Sequence, residues 1–409
     1  MPTDTPPEQA SVYRDLAARC GANQIACLKA DSCSMAPLKQ RLDAWRQAGN
    51  VGALPYLDSW SAILTDPFAA RPWARSLLVL SFSPQPDPAS PLLQLPPARP
   101  GHPAATIARY ALRVDYHRHG QTILDQLRYA IAGDNSPDAQ FDACVDSKPV
   151  MEKELALLAG LGVRGRNGLL RTPGHSCQAH LAVLFSSLDL AQHVLTPPTS
   201  LHCGDCHACI TNCPTHAIGK DGILTVRKCR SWLANEKRGP LSWLEQLALG
   251  PTLFACSTCT SCCPDDSASA SASASASASA SASASASASA SAGAGASAGA
   301  SAGASAGASA SASAGASASA NNTYDARRPA APHGDYAVDA EELLRMPSAE
   351  LSRLIAGTAL DHAGATQLKR NAAAAFAVQS SPEQRRARQT ELAALSNSPA
   401  VTQTIANWG

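Results

Sequence analysis

Apolar positions along the first part of the chain alternate between helical and strand spacing. They recur every three to four residues in ASVYRDLAARCGA, APLKQRLDAWRQAG and GQTILDQLRYAIAGD, which predicts amphipathic helices ending near glycine. The short apolar runs in ARSLLVLSFSP, FDACVD and AHLAVLFSSLDL predict buried strands. With a further helix in KPVMEKELALLAGLG, this order predicts an α/β or α+β domain with helices packed on a sheet.

A low-complexity segment interrupts this pattern. Residues 267–320 contain only Ser, Ala and Gly. Because they offer no bulky apolar side chain to bury, we expect a disordered spacer with at most transient helix. Beyond it, DAEELLRMPSAELSRLIAG, QLKRNAAAAFAVQ and SPEQRRARQTELAAL have the periodicity of a helical-repeat pair. We therefore predict an α+β protein with an α/β domain at 1–195, a cysteine-rich domain at 196–266, the insert at 267–320 and a helical tail at 321–409.

Composition narrows the possible partners. The chain carries 33 Lys and Arg against 32 Asp and Glu, a formal charge of +1, so nucleic-acid binding has to come from local patches. The first residues lack the pattern of a secretory signal, and apolar runs such as LLVLSF are too short to span a bilayer. We expect a soluble cytoplasmic protein with no membrane partner.

The cysteines are concentrated in one region. Nine of the 14 lie between residues 203 and 263. Because the cytosol keeps thiols reduced, this clustering favours metal or cluster binding over a disulfide framework.

The stretch HCGDCHACITNCPTHAI has the spacing CxxCxxCxxxCP, with Cys203, Cys206, Cys209 and Cys213. Three closely spaced thiolates can each bind one iron of a [4Fe-4S] cube, and the fourth serves a different cube in two-cluster ferredoxins. Zinc is the alternative, but its sites usually use two separated CxxC pairs. The spacing therefore predicts iron-sulfur clusters.

The stretch FACSTCTSCCPDD supplies the thiols that a second cluster needs, and Cys229 lies between the two motifs. We assign one cluster to Cys203, Cys206, Cys209 and Cys263, and the other to Cys213, Cys229, Cys256 and Cys259. Cys262 remains, either as a small buried hydrophobic residue or as a ligand in place of Cys263. We expect unligated thiols at Cys20, Cys27, Cys33, Cys144 and Cys177.

Beyond the cysteine motifs, four features resemble the epoxyqueuosine reductase family. They are IARYALRVDYH, VDSKPVMEKELALLAGLGVRGRN, the spacing from Cys213 through Cys229 to Cys256, and GTALDHAGATQLKRNAAAAFA in the tail. Members of this family are oxidoreductases that use cobalamin and two [4Fe-4S] clusters to complete queuosine at the tRNA wobble position. The resemblance implies an N-terminal cobalamin-binding domain, a ferredoxin-like double-cluster domain and a HEAT-like tail.

The resemblance also implies site residues. Base-off cobalamin is expected between the α/β and cluster domains, next to the cluster of Cys213, Cys229, Cys256 and Cys259, with Asp146 as proton donor. The implied cobalamin contacts are Ala108, Arg109, Asp146, Leu170, Leu181, Ala255 and Cys256.

Asp146 has two interpretations. Removing an epoxide oxygen needs two electrons and a proton source, and burial beside a corrin would raise the pKa of Asp146 enough to hold that proton. Alternatively, Asp146 caps a helix that starts at Pro149. The two roles are compatible.

Basic residues in VRKCRSWLANEKRG, among them Lys237 and Arg238, are expected to contact the tRNA anticodon stem-loop. Lys369, Arg370 and RRAR at 385–388 add charge in the tail, although charge runs are often only solvated faces. We expect an external electron donor and a monomer.

The chain departs from the family pattern at four places. VRGRN stands where a WxGK-like segment is usual, and an arginine that contacts cobalamin in the family has no clear match in SAILTDPFAARP. CPDD follows the last cysteine, and HSCQAH replaces the aromatic residues expected after RTPG. Two alternatives therefore stay open: a cobalamin and iron-sulfur reductase of a small molecule, similar to a dehalogenase, or a non-catalytic electron carrier.

Overall fold

A computed structural model describes residues 7–30, 34–133, 136, 138–191, 201–219, 222–264 and 335–409. It is a mixed helix and strand structure. The predicted disordered spacer at 267–320 lies outside the described residues.

The main sheet has four strands in the order β1-β2-β7-β4. They are β1 (Gln24–Lys29), β2 (Ser76–Phe82), β4 (Phe141–Cys144) and β7 (His180–Ser186). All three pairings are antiparallel, which is typical of the α+β class rather than of α/β sheets with parallel strands.

The central strand β2 is buried on both faces because helices cover each side of the sheet. Leu77 and Val79 face one core, whereas Leu78, Leu80 and Phe82 face the other, as the two-residue period of a strand requires. The first core includes residues of α2 (Ala36–Gln47) and α6 (Glu152–Leu158), and the second includes residues of α1 (Pro7–Arg19) and α5 (Tyr116–Ala132).

The helix α5 begins at a well-formed cap. The carboxylate of Asp115 accepts hydrogen bonds from the backbone N–H groups of His117 and Arg118, and the helix ends at Gly133 with φ 47°. This cap sets the position of Tyr116, the first residue of the helix.

A second sheet joins the tail to the rest of the protein. Its order is β8-β3-β9, with β3 (Ala104–Ile107) parallel to β8 (Thr252–Phe254) and antiparallel to β9 (Tyr336–Asp339). The expectation of a purely helical tail is therefore wrong at its start. The side chains of Ile107, Leu253 and Val338 lie in one hydrophobic core with the tail helices.

Five helices follow β9. They are α11 (Ala340–Arg345), α12 (Ser348–Ile355), α13 (Gly364–Gln379), α14 (Pro382–Ala394) and α15 (Pro399–Ala406). The first predicted tail helix is divided at Met346 and Pro347, because proline cannot continue a helix. The HEAT-like character of this segment stays a prediction, as do the four domain boundaries.

The buried helix α13 carries two cationic side chains that the sequence analysis considered as contacts for RNA. Arg370 is 1% exposed and donates to the backbone carbonyls of Leu233 and Gly239, while Lys369 is 3% exposed and donates to that of Leu344. Both side chains are used inside the protein, so the expectation that they contact phosphates is wrong.

The remaining elements are short. A two-stranded sheet consists of β5 (Val163–Arg164) and β6 (Leu170–Arg171). The short helices are α3 (Tyr56–Ser59), α4 (Ser61–Thr65), α7 (Ala208–Asn212), α8 (Arg230–Asn235), α9 (Trp243–Leu249) and α10 (Thr258–Ser261). Within the described ranges, no helix has both the length and the apolar character needed to cross a membrane.

Candidate active site

A cavity of about 610 Å³ lies between the main sheet and the cysteine-rich segment. Asp146, Tyr116 and Glu152 contribute to its lining, as do Cys213 and Cys256. Its volume is within the usual range for ligand pockets. A carboxylate and cysteine thiols therefore share one cavity although they are far apart in sequence.

Asp146 follows β4 in a left-handed backbone conformation with φ 51°. Its backbone N–H donates to Oε1 of Glu152 at 2.7 Å, and its Oδ2 accepts from the hydroxyl of Tyr116 at 2.8 Å. A non-glycine residue with this φ is uncommon and is often found at functional sites. Two hydrogen bonds thus fix both the backbone and the carboxylate of Asp146.

The structure excludes the capping interpretation of Asp146. The helix α6 begins at Glu152 rather than at Pro149, and its N-cap residue, Met151, makes no side-chain cap. The Asp146 side chain is exposed toward the cavity, so the protein alone does not supply the expected burial.

Glu152 is a partly buried carboxyl group of this site, and the sequence analysis missed it. Burial raises its pKa to about 7, against the opposing effect of the Asp146 N–H, and the charge of Asp146 adds to the rise. The thiol of Cys144 donates to the same Oε1 at 3.3 Å. An acidic residue in the first turn of a helix is common, so the sequence carried no signal that distinguished Glu152.

Aromatic rings pack around Tyr116, the side chain that donates a hydrogen bond to Asp146. Tyr116 stacks on His117 at a centroid distance of 4.0 Å and lies 4.6 Å from the ring of His180. Burial raises the pKa of Tyr116, so its hydroxyl stays a donor to Asp146. Burial also lowers the pKa of His180 to about 4, which leaves a neutral imidazole at neutral pH.

Five cysteines line the cavity: Cys177 and the four residues Cys213, Cys229, Cys256 and Cys259. Burial raises the pKa of Cys229, and the neighbouring Cys256 and Cys213 add to that rise. Burial likewise raises the pKa of Cys259, with further contributions from Cys256 and Cys229. The four cysteines Cys213, Cys229, Cys256 and Cys259, which the sequence analysis assigned to one cluster, are therefore neighbours next to the cavity.

A second group of thiols lies around Cys209. Burial raises the pKa of Cys209, and the nearby Cys263 and Cys203 add to it. Cys262 also neighbours Cys209, Cys263 and Cys206, and it is partly exposed rather than buried. The choice of Cys263 over Cys262 as a ligand stays a prediction.

A donor set made only of thiols suits iron-sulfur clusters, in which each thiolate binds a different iron. None of the cysteines in the described ranges forms a disulfide.

The cobalamin contacts implied by the resemblance divide into two sets. Arg109, Leu181, Ala255 and Cys256 line the cavity, as Asp146 does. Ala108 and Leu170 are 2% and 6% exposed and belong to the hydrophobic cores instead.

The cavity has two features that suit a large amide-bearing ligand. Ala255 has a left-handed φ of 55°, and its N–H donates to Oδ1 of Asn235 at 2.9 Å, so the backbone at the wall is held in one position. The buried Nδ1 of His180 has no hydrogen-bond partner within the described part of the chain. Because a buried polar atom without a partner is costly, a ligand amide at this wall would be favourable.

Lys237 and Arg238 make contacts within the protein. The ammonium group of Lys237 donates to the carbonyl of Pro240 at 3.1 Å. The guanidinium of Arg238 donates to the Ala363 carbonyl at 3.2 Å and to Oε1 of Gln367 at 2.8 Å. The two bonds of Arg238 attach this segment to the tail, and a role of Lys237 and Arg238 in tRNA binding stays a prediction.

Two family models match parts of the chain. Residues 202–266 match the 4Fe-4S double cluster binding domain, and residues 65–147 match the model described as Epoxyqueuosine reductase QueG, DUF1730. The chain therefore contains a double-cluster iron-sulfur domain.

Curated relatives named epoxyqueuosine reductase align with more than half of this chain. The protein from Francisella cf. novicida is 29% identical over 63% of this chain and 70% of the relative. The protein from Staphylococcus aureus is 30% identical over 61% and 62%, and that from Pseudomonas aeruginosa is 33% identical over 54% and 60%.

Solved structures show the same fold. A crystal structure of epoxyqueuosine reductase with a tRNA-TYR epoxyqueuosine-modified tRNA stem loop has a TM-score of 0.66 at 19% identity, covering 96% of this chain and 87% of that one. Epoxyqueuosine reductase from Streptococcus thermophilus has a TM-score of 0.65 at 17% identity with the same coverage. The two domain models and the named relatives make the chain similar to epoxyqueuosine reductases, and the solved structures share its fold.

Proposed function

We propose that the protein reduces epoxyqueuosine to queuosine at the wobble position of tRNA, using electrons that pass through two [4Fe-4S] clusters to cobalamin. The observation that carries this proposal is the cavity that has Asp146 on one side and Cys213, Cys229 and Cys256 on the other. An electron carrier has no use for an oriented acid beside its clusters. An external electron donor, a monomeric state and a cytoplasmic location belong to the same proposal.

The reaction defines what the cavity has to provide. Converting the epoxide to an alkene breaks two carbon-oxygen bonds, consumes two electrons and two protons, and releases the oxygen as water. Bound cobalamin would supply a reduced cobalt centre that delivers electrons to the strained carbon. Arg109, Leu181, Ala255 and Cys256 are the lining residues that would hold it.

Asp146 holds the first proton in this proposal. The hydroxyl of Tyr116 donates to its Oδ2, and this bond stabilises the carboxylate that remains after the proton has moved to the substrate oxygen. Glu152 fixes the backbone of Asp146 through Oε1. With a pKa of about 7, Glu152 is also close to the operating pH and can exchange protons there.

The two thiol groups would hold the clusters. Cys213, Cys229, Cys256 and Cys259 would bind the one beside the cavity, and Cys203, Cys206, Cys209 and Cys263 the other. Burial alone would raise the pKa of Cys213, but backbone N–H groups, first that of Ala217, outweigh it and lower this pKa. A thiolate is thereby favoured at one ligand before iron binds.

An exposed aromatic pair supports RNA as the substrate. Tyr56 and Trp60 are 41% and 39% exposed, and their ring centroids lie 5.0 Å apart. Single-stranded loop bases are commonly bound by stacking on such rings. A small-molecule substrate would have no use for them.

The loop before this pair is attached to the cluster segment. The carbonyl of Gly52 accepts from the guanidinium of Arg227 at 2.6 Å, and that of Ala53 accepts from the indole N–H of Trp232 at 3.1 Å. Burial raises the pKa of Tyr56, and the charges of Glu236 and Asp146 add to it, so this ring lies within electrostatic range of the proposed acid. We propose that Tyr56 and Trp60 stack with bases next to the flipped wobble nucleotide.

Anaerobic turnover with nucleoside analysis tests the function. The full chain is purified anaerobically, loaded with iron, sulfide and cobalamin, and reacted with a reductant and an epoxyqueuosine-containing stem-loop. We expect epoxyqueuosine to be replaced by queuosine. Cobalamin binding without this conversion would favour a small-molecule reductase, and failure to bind cobalamin would leave only the electron carrier.

Asp146→Asn examines the acid directly. It keeps the side-chain shape but removes the proton, so we expect turnover to fall by roughly 10²- to 10⁴-fold with both clusters retained. Asp125→Asn is the matched control, because Asp125 lies on α5 and pairs with Arg128 at the surface. An unchanged rate in Asp146→Asn would remove Asp146 from the reaction.

A further inference from the structure

A turn around Ser176 encloses the sulfur of Cys263, 87 positions further along the chain. Ser176 is fully buried and has a left-handed φ of 48°. The backbone N–H of Thr172 donates to its carbonyl at 2.8 Å. A non-glycine residue in this conformation costs on the order of 1 kcal/mol, so packing around the turn holds Ser176 in place.

Two side chains of this turn contact Cys263. The hydroxyl of Ser176 lies 3.1 Å from the Cys263 sulfur. The buried thiol of Cys177 also neighbours Cys263.

Asn167 holds Cys177 in position. Its Nδ2 lies 3.4 Å from the Cys177 sulfur and donates to the carbonyl of Cys259 at 3.2 Å. The amide thus ties the turn to the cysteine-rich segment. Neither Ser176 nor Cys177 can move away from Cys263 without breaking these contacts.

The Ser176 hydroxyl has one proton and three acceptors within reach, since the carbonyl oxygen of Pro264 also lies at 3.1 Å and the Cys177 sulfur at 4.0 Å. A thiolate bound to iron carries negative charge, whereas the carbonyl is neutral. Hydrogen bonds to charged acceptors are the stronger ones. When a cluster is bound, we expect the Ser176 hydroxyl to donate its hydrogen bond to the Cys263 sulfur.

We propose that Ser176 donates a hydrogen bond to the cluster-bound thiolate of Cys263 and raises the reduction potential of that cluster. This inference rests on the proposed ligand role of Cys263. One-electron reduction adds negative charge to the cluster, and donors to its sulfur ligands stabilise the reduced state more than the oxidised state. The cluster away from the cavity would then accept electrons readily from an external donor.

The other cluster has hydroxyl neighbours at longer distances. The hydroxyl of Thr258 lies 3.4 Å from the Cys256 sulfur, and that of Thr215 lies 3.7 Å from the Cys213 sulfur. Thr258→Val is therefore a matched control that removes a hydroxyl at the other cluster.

Potentiometric titration monitored by electron paramagnetic resonance tests the proposal. The full chain with both clusters loaded is compared with Ser176→Ala, Cys177→Ser and Thr258→Val. In Ser176→Ala we expect the reduction equilibrium constant of one cluster to fall about tenfold, which is 59 mV for one electron. The other cluster should be unchanged, and Cys177→Ser should stay close to the wild type because it keeps the Ser176 hydroxyl.

Thr258→Val should leave the cluster affected by Ser176→Ala unchanged. If Ser176→Ala does not fold, Ser176→Gly replaces it in the titration, because glycine adopts this φ freely and also lacks the hydroxyl. Unchanged potentials in both Ser176 variants, at full iron content, would overturn the inference. A wild type that cannot be loaded with two clusters would instead overturn the proposed function.

Discussion

Replacing Tyr116 by phenylalanine removes one hydrogen bond from the proposed acid and leaves the aromatic ring in place. The lost bond is the one from the Tyr116 hydroxyl to Oδ2 of Asp146, at 2.8 Å. Since it stabilises the carboxylate left after proton transfer, its removal raises the barrier of that step. A hydrogen bond to a charged group contributes about 1.5–3 kcal/mol, and 1.36 kcal/mol corresponds to a tenfold change in rate. We expect roughly a 10- to 100-fold slower reaction.

The assay is a single turnover with pre-reduced, cobalamin-loaded protein in excess over an epoxyqueuosine stem-loop, quenched and analysed for nucleosides. A single turnover avoids limits from product release and from the external donor. Tyr129→Phe is the matched control, because Tyr129 lies on the same helix and is 84% exposed. Its rate should equal that of the wild type.

Comparing the two variants distinguishes loss of the hydrogen bond to Asp146 from general damage to the protein. Iron content and bound cobalamin should be the same in both variants, since the Tyr116 ring still packs against His117 and His180. A Tyr116→Phe rate equal to that of the wild type would refute the role of this hydrogen bond. An equally slow Tyr129→Phe would show that the loss does not come from the cavity.

Three further predictions concern other parts of the site. Glu152→Gln should raise the melting temperature more at pH 8 than at pH 5. The pKa of Glu152 is about 7 in the folded state against 4.5 in the unfolded state, so ionisation of this group lowers the free energy of unfolding by up to about 3 kcal/mol. This destabilisation is absent below pH 4.5, grows as the pH rises to 7 and is complete above it. An equal shift at both pH values would contradict this. Cys262→Ala should keep eight irons whereas Cys263→Ala should lose one cube, and the reverse iron counts would move the ligand by one residue. Tyr56→Ala and Trp60→Ala should each weaken stem-loop binding by about 1–3 kcal/mol in a binding titration, with cobalamin affinity unchanged; unaltered RNA affinity would exclude stacking.

The main elements of the first 265 residues could be predicted from periodicity, because each helix or strand face repeats within a few residues. The apolar run of β2 and the amphipathic pattern of α5 are such cases. The short strands β3, β8 and β9 were not predicted. They pair across long sequence separations, so no local pattern distinguishes them from loops.

The candidate site was predictable only in part. The cluster cysteines could be predicted from their spacing in the sequence, and Asp146 was predicted from the resemblance to the family. Glu152 and Ser176 had no such signal, because their importance comes from burial and from partners elsewhere in the chain. The charge of Arg370 suggested a surface residue, but its side chain is buried and donates to the carbonyls of Leu233 and Gly239.

The sequence by itself determined the chemistry available to this protein. Thiols at CxxCxxCxxxCP spacing are brought together by a short loop, so their ability to bind iron depends on covalent distances. Tertiary structure decided which side chains surround them. It placed Asp146, Tyr116 and Glu152 in one cavity with Cys213 and Cys256, and it brought Ser176 to Cys263. Such contacts arise from packing between distant segments, and burial then sets the pKa values and hydrogen bonds on which the proposed reaction depends.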